Sequence, residues 1–123
     1  MRISRKLGQE TQDQITAVEW VSKAHPKVRP YLIHIPNERK TSFYAGNILK
    51  LMGVRRGASD LFIALPKGDY HGLFIEVKSK IGRPTKEQKE FVQLMCDTGY
   101  YACFAYGVDE IIAVIQAYLD EKL

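Results

Sequence analysis

The sequence predicts a single α/β domain, in which a small mixed β-sheet is flanked by helices in the order αβαββαβα. Two short apolar segments, residues 61–65 and 73–77, are joined by a turn rich in Gly, Pro and Asp, which is typical of a β-hairpin. A capped amphipathic helix then leads to the apolar segment Tyr101–Tyr106, and a strand–helix–strand order is typical of parallel strands. Since 123 residues suffice for one core but not for two, we expect one domain over residues 1–123.

The first half of the chain predicts two helices and one strand. Residues 10–24 are expected to form a helix and residues 31–35 a strand, because a proline follows each segment. A second helix is expected to begin after a Thr-Ser cap and to end at Gly53. The apolar stripe of this helix is expected to face the core and comprises Ala45, Ile48, Leu49 and Met52.

The second half predicts a strand between two helices. Thr85 and Gln88 fit a capping box at the start of a helix that ends at Gly99. Its inward residues are expected to be Phe91, Leu94 and Met95. The following strand, Tyr101–Tyr106, is expected to be buried on both faces, and Asp109 to cap the final helix. The apolar residues of that helix are Ile111, Ile112, Ile115, Tyr118 and Leu119.

Composition excludes several classes of protein. No apolar run approaches the roughly 20 residues that a membrane helix needs, and no signal-peptide core follows the amino terminus, so we expect a cytoplasmic protein. Cys96 and Cys103 are too few for a disulfide framework and have no zinc-ligand spacing, so two reduced, mostly buried thiols are expected. Any metal would then be a hard ion held by carboxylates.

The distribution of charge predicts a basic surface. The net charge is +4, and every Lys and Arg except Lys122 precedes residue 90. Residues 1–9 form a basic arm that we expect to be flexible. A surface of this kind favours a polyphosphate partner. The residues expected to contact nucleic acid are Arg39, Lys40, Arg55, Arg56, Lys80, Arg83 and Lys86.

The predicted hairpin carries an unusual arrangement of charges. Asp60 directly precedes its first strand, while Glu76 and Lys78 lie two residues apart at the end of the second. Alternation along a strand sends Glu76 and Lys78 to one face, and the hairpin brings Asp60 beside Glu76. This arrangement is that of a metal-dependent hydrolase. The alternative is the solvated face of an amphipathic strand. Gly57, just before the hairpin, would let a phosphate or a neighbouring backbone approach closely.

A further carboxylate is expected from the first helix. Glu10 and Gln14 continue the core-facing stripe of this helix, which also comprises Ala17, Val21 and Ala24. Glu19 lies about half a turn away from Glu10 and faces solvent. A carboxylate in line with a core stripe is expected to face a cavity or a site. The alternative is that Glu10 only stabilises the amino terminus of its helix electrostatically.

These residue types match the needs of phosphodiester hydrolysis. A divalent ion held by carboxylates activates a water and screens the phosphoryl oxygens, and a lysine beside it orients the water or stabilises the developing charge. Mg²⁺ suits such a site because it takes few carboxylates and keeps several waters.

At these residues the sequence resembles the PD-(D/E)XK nuclease superfamily, with Ser59 in place of the proline before Asp60. It is still more similar to the VRR-NUC (virus-type replication-repair nuclease) family, and the resemblance covers nearly the whole chain. The segments that carry it are the helix with Glu10, residues 35–37, residues 51–54, residues 57–61, residues 74–78 and residues 87–88.

The resemblance implies a restriction-endonuclease-like fold and a set of site residues. It implies a Mg²⁺ site, which Mn²⁺ also fills, made by Asp60, Glu76 and the backbone carbonyl of Val77. Glu10 would be a further carboxylate at this site and a possible metal ligand. The resemblance also implies that Lys78 is the catalytic lysine, and that Gln88 lies near the site in addition to its capping role.

The implied activity is that of a stand-alone viral or bacterial endonuclease selective for branched DNA, such as Holliday junctions or flaps, in the cytoplasm of a bacterium or viral host. Like archaeal Holliday junction resolvases, which it resembles in size, such an enzyme would be a homodimer, because two symmetric cuts need two sites. The candidates for the dimer interface, which could equally belong to the core, are Phe43, Tyr44 and the neighbourhood of residues 73–77. The alternatives are a DNA-binding module that keeps the fold without cutting, and a restriction-type enzyme for plain duplex, which would need an element for the major groove.

Overall fold

A computed structural model gives the structure of residues 7–36 and 43–123, except for the side chain of Phe43. The order of elements is the predicted αβαββαβα, with a 3₁₀ turn at Arg29–Tyr31 before the first strand. The helices are α1 (Gln9–Ala24), α2 (Phe43–Leu51), α3 (Lys86–Asp97) and α4 (Val108–Leu119). The strands are β1 (Leu32–His34), β2 (Leu61–Ile63), β3 (Leu73–Lys78) and β4 (Tyr101–Tyr106).

The strands form one mixed sheet in the order β1-β2-β3-β4. β1, β2 and β3 pair antiparallel, whereas β3 and β4 pair parallel through the α3 crossover. Leu61 lies opposite Ile75, so continuing this register by one residue places Asp60 opposite Glu76. The hairpin therefore brings these two carboxylates to one edge of the sheet, as the sequence predicts.

The central strand β3 is buried along its whole length, and its two faces serve different purposes. One face, with Leu73, Ile75 and Val77, belongs to the main core together with residues of α1 and α4. The other face begins with Phe74, which packs with Phe91 of α3 and stacks on a ring of β2. The same face then continues with Glu76 and Lys78, which are only 2% and 4% exposed. The solvated-face alternative for these residues is therefore wrong.

The predicted core stripe of α2 is wrong. Ile48 is 39% exposed and Met52 is 76% exposed, and α2 contributes no described side chain to either core cluster. The physical reason is that α1 and α4 already cover one face of the sheet, while α3 covers the other. Apolar periodicity correctly indicates a helix here, but it does not identify what the helix packs against.

Three further local predictions are corrected. β4 is not buried on both faces, since only Ala102 and Ala105 are buried and the strand lies at the sheet edge. Asp109 does not cap α4, because Gly107 occupies the N-cap position and Asp109 lies in the first turn. Five residues predicted to be inward or buried are not buried. Ala24, Leu94 and Cys96 are exposed, and Met95 and Cys103 are half-buried.

Some predictions fall outside the described residues. Residues 1–6 of the expected basic arm, the cap at Thr41 or Ser42, and the expected nucleic-acid contacts Arg39 and Lys40 all lie there. α1 begins at Gln9, the last residue of the expected arm. Within the described parts of the chain, no helix is long and apolar enough to cross a membrane.

Candidate active site

An open cleft of about 1240 Å³ lies where the carboxyl end of β3 meets the amino-terminal turns of α1 and α3. All side chains predicted to act in the site line this cleft, together with Val77, whose carbonyl is predicted to bind metal. Two of the predicted nucleic-acid contacts, Arg56 and Arg83, line it as well. The predicted site residues that the structure brings together here are Glu10, Asp60, Glu76, Val77, Lys78 and Gln88.

Asp60 is held by the strand opposite it. Its Oδ2 accepts a hydrogen bond of 2.8 Å from the backbone N–H of Val77. A carboxylate fixed by a backbone donor loses little side-chain entropy when it binds a ligand, because its rotamer is already chosen.

Glu76 is the most perturbed group of the site. Its Oε2 accepts a bond of 3.2 Å from Nε2 of Gln88, while its Oε1 is buried without a hydrogen-bond partner in the described structure. Burial is the largest cause that raises the pKa of Glu76 from 4.5 to about 9, followed by the adjoining Asp60 carboxylate, with Glu10 adding to the effect and Lys78 opposing it. In the metal-free protein Glu76 therefore holds a proton at neutral pH.

The chemistry of this pair fits a hard divalent cation. Two neighbouring carboxylates, one with an unsatisfied buried oxygen, repel each other unless a proton or a cation lies between them. Across residues 7–36 and 43–123, no group of three or more His, Cys, Asp or Glu side chains forms a metal cluster. The role of Glu10 as a ligand therefore stays a prediction, and the fit rests on Asp60 and Glu76.

Glu10 does face the cleft, as its helical phase predicts. Its Oε2 accepts a bond of 3.2 Å from the backbone N–H of Ser79, directly after β3. The same oxygen lies 3.2 Å from where a Cβ on Gly82 would stand. Glu10 also lies in the first turn of α1, so the electrostatic alternative is compatible with its place at the site.

Lys78 ends the same face of β3. Its Nζ lies 3.9 Å from Oε2 of Glu76, and its backbone carbonyl accepts a bond of 3.0 Å from the N–H of Gly107. A buried ammonium costs free energy unless it is paired, so an incoming anion, or Glu76 once it has lost its proton, is its partner. Lys78 therefore places a positive charge in the cleft, close to Glu76.

Gln88 completes its predicted capping box and also lies at the site. The capping box is complete, since its N–H donates to Oγ1 of Thr85 at 3.1 Å and its Oε1 accepts from the N–H of Thr85 at 2.9 Å. Its remaining Nε2 donates to Glu76. The first turn of α3 thereby orients a site carboxylate.

Gly57 lies in the loop before β2 and packs against the first turn of α3. Its φ is +86°, and a Cβ there would lie 2.5 Å from the carbonyl carbon and oxygen of Glu87. Of the two alternatives, the structure shows the close approach of a neighbouring backbone.

Two substitutions separate the two roles of Gln88. Thr85→Ala should lower the free energy of unfolding by about 1 kcal/mol, because it removes only a helix cap. Gln88→Ala should cost about 1 kcal/mol more, because it also removes the donor to Glu76. Urea unfolding without metal measures both values. Equal losses would show that the contact with Glu76 contributes nothing.

The other described basic residues predicted to bind nucleic acid, Arg55, Lys80 and Lys86, do not line the cleft. Arg55 lies over the ring of Phe91, 5.8 Å from its centroid, and its Nη1 donates to the carbonyl of Arg56. Lys80 is exposed and its stem lies against Gly107, and Lys86 forms an ion pair of 3.8 Å with Glu90.

Among the cleft residues that sequence reasoning did not assign to the site are His34 and Gln14. Their side chains meet at 3.0 Å, between Nε2 of Gln14 and Nδ1 of His34. The α1 stripe placed Gln14 beside Glu10, but no local signal connects it to a residue on β1. Ser59, directly before Asp60, does not line the cleft, and its hydroxyl is buried without a hydrogen-bond partner in the described structure.

Comparison with known proteins identifies the family and the fold of the chain. None of the curated proteins compared matches the chain. One solved structure, described as a VRR_NUC domain protein, is similar with a TM-score of 0.82 and 33% sequence identity, covering 94% of this chain and 91% of that one. The VRR-NUC domain family matches residues 9–109, which include every predicted site residue. The chain therefore belongs to the VRR-NUC domain family and has its nuclease-type α/β fold.

Proposed function

We propose that this protein is a metal-dependent endodeoxyribonuclease that hydrolyses phosphodiester bonds in branched DNA. The observation that carries the proposal is the pair of adjoining carboxylates, Asp60 and Glu76, beside a buried lysine in a cleft also lined by two arginines. A carboxyl group whose pKa is raised by burial beside another carboxylate, as that of Glu76 is, is typical of an active site when it lies in a cleft.

Each group has a definite task in this proposal. Mg²⁺, or Mn²⁺ in its place, would be held by Asp60, Glu76 and the carbonyl of Val77, and would supply an activated water and charge screening. Lys78 places its ammonium where negative charge develops on the phosphate. Gln88 holds Glu76 in position, and Arg56 and Arg83 bind the phosphates that flank the reacting one.

A cleavage panel tests the proposal. A four-way junction, a flap, a splayed arm and a plain duplex of equal length are incubated with the purified protein and Mg²⁺ or Mn²⁺, beside Asp60→Asn as control. We expect metal-dependent cuts in the branched substrates and none with the variant. Binding without cutting would support the non-catalytic module, and equal cutting of duplex and junction would contradict the preference for branched DNA.

We further propose that the protein acts as a homodimer, and that the partner copy covers α2. The α2 apolar surface comprises Tyr44, Ile48 and Leu51, which follow helical spacing on one face of α2, and Met52 directly after the helix. These side chains are 75%, 39%, 84% and 76% exposed, in that order. α2 also carries no acidic residue. A contiguous apolar face of this kind is typical of an interface, and a second copy would supply the second site that two symmetric cuts need.

A charge placed on this surface tests the dimer. Leu51→Glu should convert the protein from dimer to monomer at micromolar concentration, because a buried unpaired carboxylate is costly. Light scattering coupled to gel filtration measures the mass. The matched control is Leu94→Glu, an exposed leucine on α3, which should stay dimeric. A wild-type protein that is monomeric under the same conditions would contradict the proposal.

A further inference from the structure

His34 occupies a distinctive place among the described histidines. His25 contacts Gln116 at the far end of α1, and His71 lies against Gly99 and Tyr100. His34 instead lines the cleft from β1, and its Nδ1 lies 2.9 Å from the backbone carbonyl oxygen of Asp60. It therefore contacts a proposed metal ligand through the main chain.

These contacts determine which nitrogen of the His34 ring carries a hydrogen. A carbonyl oxygen only accepts, so Nδ1 must carry a hydrogen to bond to Asp60. A donating Nδ1 cannot also accept from the amide nitrogen of Gln14 at 3.0 Å. The consistent arrangement turns the Gln14 amide by about 180°, so that Nδ1–H is shared between two oxygens, those of Asp60 and Gln14.

The result is that Asp60 is held on both sides. Its carbonyl accepts from His34 and also from the N–H of Ile35 at 2.8 Å, while its carboxylate accepts from Val77. Gln14 lies one turn after Glu10 on α1, so the same helix supplies a site carboxylate and the group that orients the imidazole. Asp60, the residue directly before β2, is thereby connected to β1 and β3 by its own hydrogen bonds and to α1 through His34 and Gln14.

We propose that His34, oriented by Gln14, is a positioning residue that sets the metal affinity of the site through the Asp60 backbone. This inference rests on the proposed function, since it concerns the same ligand. Residues that orient metal ligands through a hydrogen bond commonly change affinity about 10- to 100-fold when they are removed.

The test uses two amide substitutions that replace different ring nitrogens. Asn places its N–H₂ near the position of Nδ1, whereas Gln reaches only toward that of Nε2. His34→Ala should weaken Mn²⁺ binding about tenfold, measured by titration calorimetry on the full chain. His34→Asn should recover most of the loss and His34→Gln should not, and the Mg²⁺ concentration for half-maximal cleavage should shift in the same order. His25→Ala is the matched control and should bind Mn²⁺ like the wild type.

Each result decides the question. Wild-type Mn²⁺ affinity in His34→Ala, with normal unfolding curves, overturns the inference and leaves the proposed function standing. Rescue by His34→Gln but not by His34→Asn also overturns it, because Nε2 would then be the working atom. If the wild-type protein binds no Mn²⁺, or binds it no more tightly than Asp60→Asn does, both this inference and the proposed function fail. If His34→Ala does not fold, the ratio of affinities between His34→Asn and His34→Gln still tests the claim.

Discussion

Lys78→Met should reduce DNA cleavage by about 10²- to 10⁴-fold while the fold remains intact. The ammonium in the cleft is lost, but methionine fills a similar volume in a position that is 4% exposed. Because removing a buried charge also removes its desolvation cost, the free energy of unfolding should be unchanged or slightly higher. Single-turnover cleavage of a labelled junction and thermal unfolding by circular dichroism give the two quantities.

The control for this prediction is Lys23→Met, which removes an exposed lysine from the last turn of α1. It should cut at nearly the wild-type rate. A Lys78→Met protein that keeps more than about a tenth of the wild-type rate would show that the lysine is not part of the chemistry. Retained Mn²⁺ binding in the same variant would separate the role of the lysine from that of the carboxylates.

Glu76→Gln should stabilise the metal-free protein and abolish cleavage. The folded state raises the pKa of Glu76 from 4.5 to about 9 because the side chain is buried beside Asp60. Between these values the unfolded chain loses a proton that the folded chain keeps, so stability falls as pH rises, by about 1.4 kcal/mol per pH unit for one proton. Below pH 4.5 both states are protonated and this cost disappears.

Urea unfolding in the presence of a chelator measures this effect. At pH 8 the variant should be more stable than the wild type by at least about 2 kcal/mol, and at pH 4.5 the difference should nearly vanish. Adding Mn²⁺ should stabilise the wild type and have little effect on the variant. A wild-type protein whose stability rises between pH 5 and pH 8 relative to the variant would contradict the proposed state of Glu76.

The site was predictable where a local rule determined each position. Alternation along β3 places Glu76 and Lys78 on one face, and hairpin pairing brings Asp60 opposite Glu76. Helical phase places Glu10 toward the cleft, and the capping box places Gln88 at the first turn of α3. Each of these follows from geometry within one element or one hairpin.

The errors arose where the answer depended on what packs against an element. The apolar stripe of α2 has the spacing of a core stripe, yet Ile48 and Met52 are exposed and no described side chain of α2 belongs to either core cluster. Gly107 occupies the cap position of α4 because β4 ends there, which the polar side chain of Asp109 does not reveal. The bond from His34 to Asp60 spans 26 residues of sequence and depends on the pairing of β1 with β2. Such contacts are set by tertiary structure, which local periodicity does not encode.

The central claim, that Asp60, Glu76 and Lys78 form a metal-dependent nuclease site, is tested most directly by one measurement. The purified protein is mixed with a labelled four-way junction, with Mg²⁺ or with a chelator, beside folded Asp60→Asn and Lys78→Met variants. We predict cuts in the phosphodiester backbone only for the wild type with Mg²⁺. Equal cutting by the wild type and both variants, or cutting that survives the chelator, would contradict the account.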